Sequence, residues 1–294
     1  MKPGIAKIIL LFLFGTALAA AQAAPVAVSW TLKTEPQELV NGSPVLFRVN
    51  APAELTTLRG VWSGRELAFR FGAGCSCWYA LAAIDLNQKP GEFPLRLEGT
   101  EKSGAKADFT AKVNVSEKVY PTTTLSVAPK YVEPPKEVLA RIEQEQALKK
   151  RLFSSVAPDT YWSGRFAPPV DTTVSAIFGS ARTFNGVKKT QHEGLDFHAA
   201  IGTTVRATNR GVVILARNLY YEGNCVVVDH GQGLLTLYLH FSEIAVKEGD
   251  RVESGTVLGK SGNTGRVNGP HLHFAARWQG VYLDPETLLK LRVP

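Results

Sequence analysis

The stretch Gly269-Pro270-His271-Leu272-His273-Phe274 limits what this chain can fold into more than any other. Side chains alternate faces along a strand, so His271 and His273 point one way while Leu272 and Phe274 point into an apolar layer. A rigid strand that follows a Gly-Pro turn and holds two imidazoles side by side suits a metal site. Two further stretches add to this. His192 and Asp196 are four residues apart, which puts both on one face of either a helix or a strand. Leu235 to His240 alternates strictly: Leu235, Leu237 and Leu239 are expected on a core face, and Thr236, Tyr238 and His240 on the other. Four of the six histidines fall in these three places.

Taken together, these residues resemble the lysostaphin/LytM-type zinc metallopeptidases that cut peptidoglycan. The pattern H-x-x-x-D, a lone H and H-x-H is met by His192 and Asp196, by His240, and by His271 and His273. Phe178-Gly179, Gly202-Thr203-Thr204-Val205, Tyr238-Leu239-His240, Gly262-Asn263-Thr264-Gly265 and Asp284-Pro285 extend the match over the last third to half of the chain. Each motif alone is weak, and their joint occurrence is specific.

The resemblance implies one zinc ion held by His192, Asp196 and His273, with an open fourth position for water, as in catalytic rather than structural zinc sites. It implies that His240 and His271 form the catalytic pair. One takes a proton from the zinc-bound water that attacks the amide, and the other steadies the oxyanion and protonates the leaving amine. Which does which stays open. Tyr238, Asn224 and Arg182 are expected to line the substrate groove. Glu193 reads as surface or supporting, His198 as supporting and His230 as a structural turn residue. The implied activity is endopeptidase cleavage of peptide cross-links or stem peptides of peptidoglycan. Two alternatives stay open: a non-enzymatic activator of cell-wall amidases, and a zinc peptidase with another peptide substrate.

Composition narrows the setting. The formal charge is +7, which favours an anionic surrounding such as a wall. No arginine-rich run or RNA-binding motif points to nucleic acid. Lys2 and Lys7, the apolar run Ile8–Ala20 and the small residues Ala21 and Ala23 read as a secretory leader cleaved after Ala23, too short to span a membrane. Export is expected, with the periplasm favoured, and no stable membrane span is expected after cleavage. The three cysteines are expected as small buried residues. A bridge between Cys75 and Cys77, two residues apart, is expected to be strained.

The expected fold is mainly β. Residues 24–118 read as short strands between Gly, Pro, Asn and Ser turns, a β-sandwich with Trp30, Trp62 and Trp78 in its core. Residues 119–160 read as a Pro-rich linker and one helix, opened by Pro135 and expected to pack between the domains. Residues 161–294 read as an antiparallel β metallopeptidase domain with a groove, closed by a short helix from Asp284-Pro285.

Overall fold

Alternation shapes the N-terminal region of the computed structural model, which describes residues 29–294. The expected leader, residues 1–23, lies outside them. One four-stranded antiparallel sheet orders Thr31–Glu35, Pro44–Asn50, Cys77–Ala83 and Arg70–Gly72; a second orders Arg65–Ala68, Leu55–Trp62, Gly91–Glu101 and Lys106–Val115. In the second sheet Leu58, Trp62, Leu95, Leu97, Val113 and Val115 are buried, while Arg59, Arg96 and Glu98 face out. Trp62 packs edge-on against Phe47 at 5.3 Å, and its indole N–H donates to the Ala83 carbonyl at 3.1 Å. Trp30, half-buried, stacks on Phe109.

Cys75 and Cys77 are joined in a disulfide, which corrects the expectation of small unbridged residues. The turn supplies the missing reach. Ser76 adopts φ 48° and its N–H bonds back to Ala73 O, bringing the two Cα atoms to 5.1 Å, inside the range a disulfide spans. Cys225 is free and buried, as expected.

The C-terminal region is built on one large sheet. Its main path orders Val174–Ala176, Leu195–Phe197, Leu272–Trp278, Leu234–Ile244, Gly223–Asp229, Gly211–Leu219 and Arg251–Val252. One face carries Leu272, Phe274, Val226, Val228 and Tyr238 into a closed apolar layer. The other face carries Leu235, Leu237, Val227, Leu215, Leu219 and Ala275.

Helix α1 (Lys136–Phe153) lies on that second face, not between the domains as expected: Phe153 is buried against it, with Leu148 and Leu152 alongside. Electrostatics pin the helix to the 219–222 turn. Glu145 accepts from the Tyr220 N–H at 2.8 Å, and Lys149 pairs with Glu222. The stretch read as a linker is not wholly irregular either. Thr122–Leu125 adds in parallel to Ala181–Phe184, which pairs with Lys188–Gln191. A short helix, α2 (Pro285–Lys290), begins as expected, with Asp284 accepting from the Glu286 N–H. No helix among the described residues is long and apolar enough to cross a membrane.

Candidate metal centre

Two neighbouring strands set Asp196 directly opposite His273. His192 arrives from the loop after Lys188–Gln191 and is fixed through its backbone: its N–H donates to Ser180 O and its carbonyl accepts from Gly179 N, both at 2.8 Å. The three side chains converge. His192 Nε2 lies 3.0 Å from Asp196 Oδ1 and 3.1 Å from His273 Nδ1, and His273 Nδ1 lies 2.8 Å from Asp196 Oδ1. Donors bound tetrahedrally to zinc at its usual bond lengths stand roughly 3.3 Å apart, so the triangle fits such an ion. The outer atoms are committed. His192 Nδ1–H donates to Ile177 O at 2.8 Å, which leaves Nε2 with its lone pair free, and Arg182 Nη2 holds Asp196 Oδ2 at 2.6 Å.

The geometry also singles out Gly194. A Cβ there would sit 2.5 Å from His273 Nε2 and 2.7 Å from Phe274 O, so only glycine lets the His273 ring pass.

His240 reaches the site through a break in alternation. Leu239 pairs with His273, Val226 pairs with Tyr238 and Asn224 with Phe241, so between those last pairs two residues of one strand, Leu239 and His240, oppose the single Cys225 of the other. His240 occupies the bulge with φ 68°. The extra residue moves it from the Tyr238 face to the face of Leu239 and His273. Its ring centre lies 4.9 Å from that of His271 and 6.1 Å from that of His273.

The two remaining imidazoles are oriented alike. His240 Nδ1–H donates to Thr264 O and His271 Nδ1–H to Gly269 O, both at 2.8 Å. Each Nε2 is therefore an acceptor; that of His271 is 3.8 Å from Asp196 Oδ1. Burial, then the neighbouring His271 and His273, hold His240 well below the usual imidazole range. Burial pushes His273 down to about 4, against the pull of Asp196. Asp196 is desolvated, which raises its pKa, yet its close contacts with the imidazoles of His192 and His273 hold it well below the carboxylate range.

These residues line a cavity of about 180 Å³ whose other walls include Phe153, Phe184, Tyr221, Glu222 and Arg266. Glu193 lines it too, its carboxyl raised by desolvation. Of the residues expected along the groove, Arg182 lines the cavity. Tyr238 does not. It is fully buried in the opposite layer, where its hydroxyl accepts from Thr208 N at 2.9 Å, because without the bulge it keeps the parity of Phe274. Asn224 is likewise not a wall of the cavity; its side chain ties Asn218 to Phe241 O. His198 is exposed and outside the cavity. His230 is buried between Arg210 O and Thr236. The sequence reading missed Gly194, the Thr264 and Gly269 carbonyls and Arg266; the first three act through backbone or through an absent side chain, which no residue-type pattern signals.

A His–Asp–His donor triangle on a sheet, faced by two imidazoles with free Nε2 atoms, defines a centre of the metallopeptidase class. Residues 190–285 match Peptidase family M23, and the chain carries a domain of that family. It is 43% identical over 129 residues to the peptidoglycan DD-endopeptidase ShyA of Vibrio cholerae, covering 43% of this chain and 29% of that protein. It is 43% identical over 94 residues to the DD-carboxypeptidase/endopeptidase Mpg of Neisseria meningitidis, covering 32% of this chain and 22% of that one. The matches thus span less than a third of these relatives. A crystal structure from Pseudomonas aeruginosa assigned to peptidase M23 superposes with TM-score 0.65 at 29% identity, over 86% of this chain and 95% of that one.

Proposed function

We propose that this protein is a zinc-dependent endopeptidase that hydrolyses peptide cross-links or stem peptides of peptidoglycan. The observation that carries the reading is the donor triangle of His192, Asp196 and His273, with His271 Nε2 3.8 Å from Asp196 and the His240 ring packed beside His271 and His273. Zinc bound there supplies the Lewis acidity that makes water nucleophilic near neutral pH. The chain's own residues do the rest. Thr264 O and Gly269 O fix the two tautomers, so that one Nε2 accepts the proton of the attacking water. The Nε2–H so formed can donate to the developing oxyanion and then return its proton to the leaving amine, while the second imidazole helps position the water. Arg182 holds Asp196 in place through its Oδ2. The names of ShyA and Mpg favour a D,D bond. The leader pattern of residues 1–23 and the +7 charge favour action outside the cytoplasm, in the periplasm.

The test is digestion of purified peptidoglycan by the zinc-loaded chain, read by mass spectrometry beside a chelator control and His271→Ala. New peptide ends that vanish in both controls are expected, with a loss of at least about a hundredfold for the variant. Intact peptidoglycan at one equivalent of bound zinc overturns the reading in favour of an amidase activator or another peptide substrate.

A further inference from the structure

Water attack on an amide leaves Arg266 unexplained. It lies in the loop 262–270, the same loop whose carbonyls at Thr264 and Gly269 orient His240 and His271. Its N–H donates to Tyr221 O at 2.8 Å. The approach is close because Gly265 and Gly223 lack side chains: a Cβ on Gly265 would sit 2.4 Å from Gly223 N. The guanidinium carbon then lies 4.7 Å from the centre of the Phe184 ring and 5.0 Å from that of Tyr221. Arg266 thus bridges two walls of the cavity that holds the donor triangle and both imidazoles.

Ring contacts engage a guanidinium through its π face and leave its in-plane N–H fork for another partner. The cavity's other cations have carboxylate partners: Arg182 holds Asp196, and Lys149 pairs with Glu222. Among the described residues Arg266 takes part in no ion pair within 4 Å; its guanidinium lies against the two rings. Burial lowers its pKa, and the nearby Tyr221 and Glu222 offset that only in part. A planar donor fork, partly desolvated and beside the reacting groups, is suited to a carboxylate bound through two parallel hydrogen bonds.

We propose that Arg266, cradled by Phe184 and Tyr221, binds a free carboxylate of the substrate and so selects peptides carrying that group on the carbon that bears the scissile nitrogen. The inference rests on the hydrolase reading above. It separates two kinds of cross-link. When the amine comes from a diamino acid with a carboxylate beside that nitrogen, as in meso-diaminopimelate, the fork is filled. When it comes from a lysine side chain, or when the carboxylate is amidated, the fork stays empty and the cation's desolvation is offset only in part.

The test uses the full zinc-loaded chain and two probes: a D-alanyl–diaminopimelate cross-linked peptide dimer, and the released diaminopimelate tripeptide. Each is prepared with this carboxylate free or amidated. Hydrolysis gives kcat/KM on the dimers, and calorimetry gives Kd for the tripeptides. The free acid is expected to be preferred at least about tenfold in both, with R266Q reducing the preference below about threefold at unchanged zinc content. R266K keeps the charge but not the fork. It is expected to lose at least about threefold of the preference, and it serves if R266Q does not fold. Equal handling of acid and amide by the wild type, or an undiminished preference in the variants, overturns the proposal. Cleavage without preference sinks Arg266 alone. Arg266-dependent tripeptide binding without cleavage sinks the hydrolase reading and leaves the carboxylate site standing.

Discussion

Gly194 shows how much of the metal centre depends on what a residue lacks. Its neighbours His192 and Asp196 supply donors, and the ring of His273 must pass between them and the main chain of Phe274. A methyl at 194 would meet His273 Nε2 at 2.5 Å and Cε1 at 2.6 Å, with the Phe274 carbonyl at 2.7 Å behind them. Backbone conformation does not demand glycine here, since Gly194 is not among the positive-φ positions; sterics alone do. Neither obstacle can yield cheaply, because His273 is held by Asp196 and Phe274 by the sheet. Gly194→Ala is therefore expected to displace the ring and weaken zinc binding by at least about tenfold, as changes beside metal ligands do. Competition with a chromogenic chelator measures it, and wild-type affinity in the variant would remove the steric account.

At the scale of the element, the strand Leu234–Ile244 shows what the sequence could and could not tell. Strict alternation placed Leu235 and Leu237 on one apolar face, as found. The same alternation put His240 and Tyr238 together, and the bulge separates them. That bulge is held by partners distant in sequence: the His240 N–H donates to Glu222 O at 3.0 Å and its ring to Thr264 O. The pairing of Thr122–Leu125 with Ala181–Phe184 was hidden for the same reason, and so was the seat of α1, whose apolar stripe showed that it packs but not where. The H-x-x-x-D and H-x-H spacings were legible because each motif sits within a few residues of chain, and strand pairing then only has to bring them face to face.

The buried side of that strand makes a prediction of its own. His230 donates from Nδ1 to Arg210 O at 2.6 Å and accepts at Nε2 from Thr236 Oγ1 at 2.7 Å, and burial pushes its pKa down to about 4. An unfolded chain takes up that proton near 6.5, the folded one only near 4. Between those values the unfolded state binds more protons, so the contribution is complete above about pH 6.5, shrinks as pH falls and is gone below about pH 4, some 3 kcal/mol in all. Urea unfolding with chelator present, which removes the metal's own pH dependence, should fall more steeply with acid for the wild type than for His230→Gln. Parallel curves would mean that His230 does not carry the effect.

The whole molecule does not divide at the level of packing. One apolar cluster joins the sandwich residues Phe47, Trp62 and Leu81 to Trp162, Phe166, Trp278, Leu283, Leu288 and Val293 of the C-terminal region. Tyr79 meets Trp162 edge-on at 6.2 Å. Polar contacts follow the same seam: Arg65 donates to Gln279 O, Gln279 to Glu66 O, and the Asp284 N–H to Gly42 O. The seam also reaches the metal centre. Tyr120 packs on Phe178 and donates to Asn41 O, a Cβ on Gly179 would strike its ring at 2.3 Å, and Gly179 N holds the His192 carbonyl. A sandwich tethered by a linker alone would melt separately from the metallopeptidase sheet. With a shared core, neither part can expose its half without the other losing buried area, so heating should give one cooperative transition. Trp278→Ala, at a side chain 2% exposed, is expected to lower that single transition by about 3–5 kcal/mol. Calorimetry gives the transition, and tryptophan fluorescence and zinc release should coincide with it. A variant in which only zinc release moves, with a separate and unshifted sandwich transition, would show two independent domains and would leave the sandwich free to be removed without loss of the site.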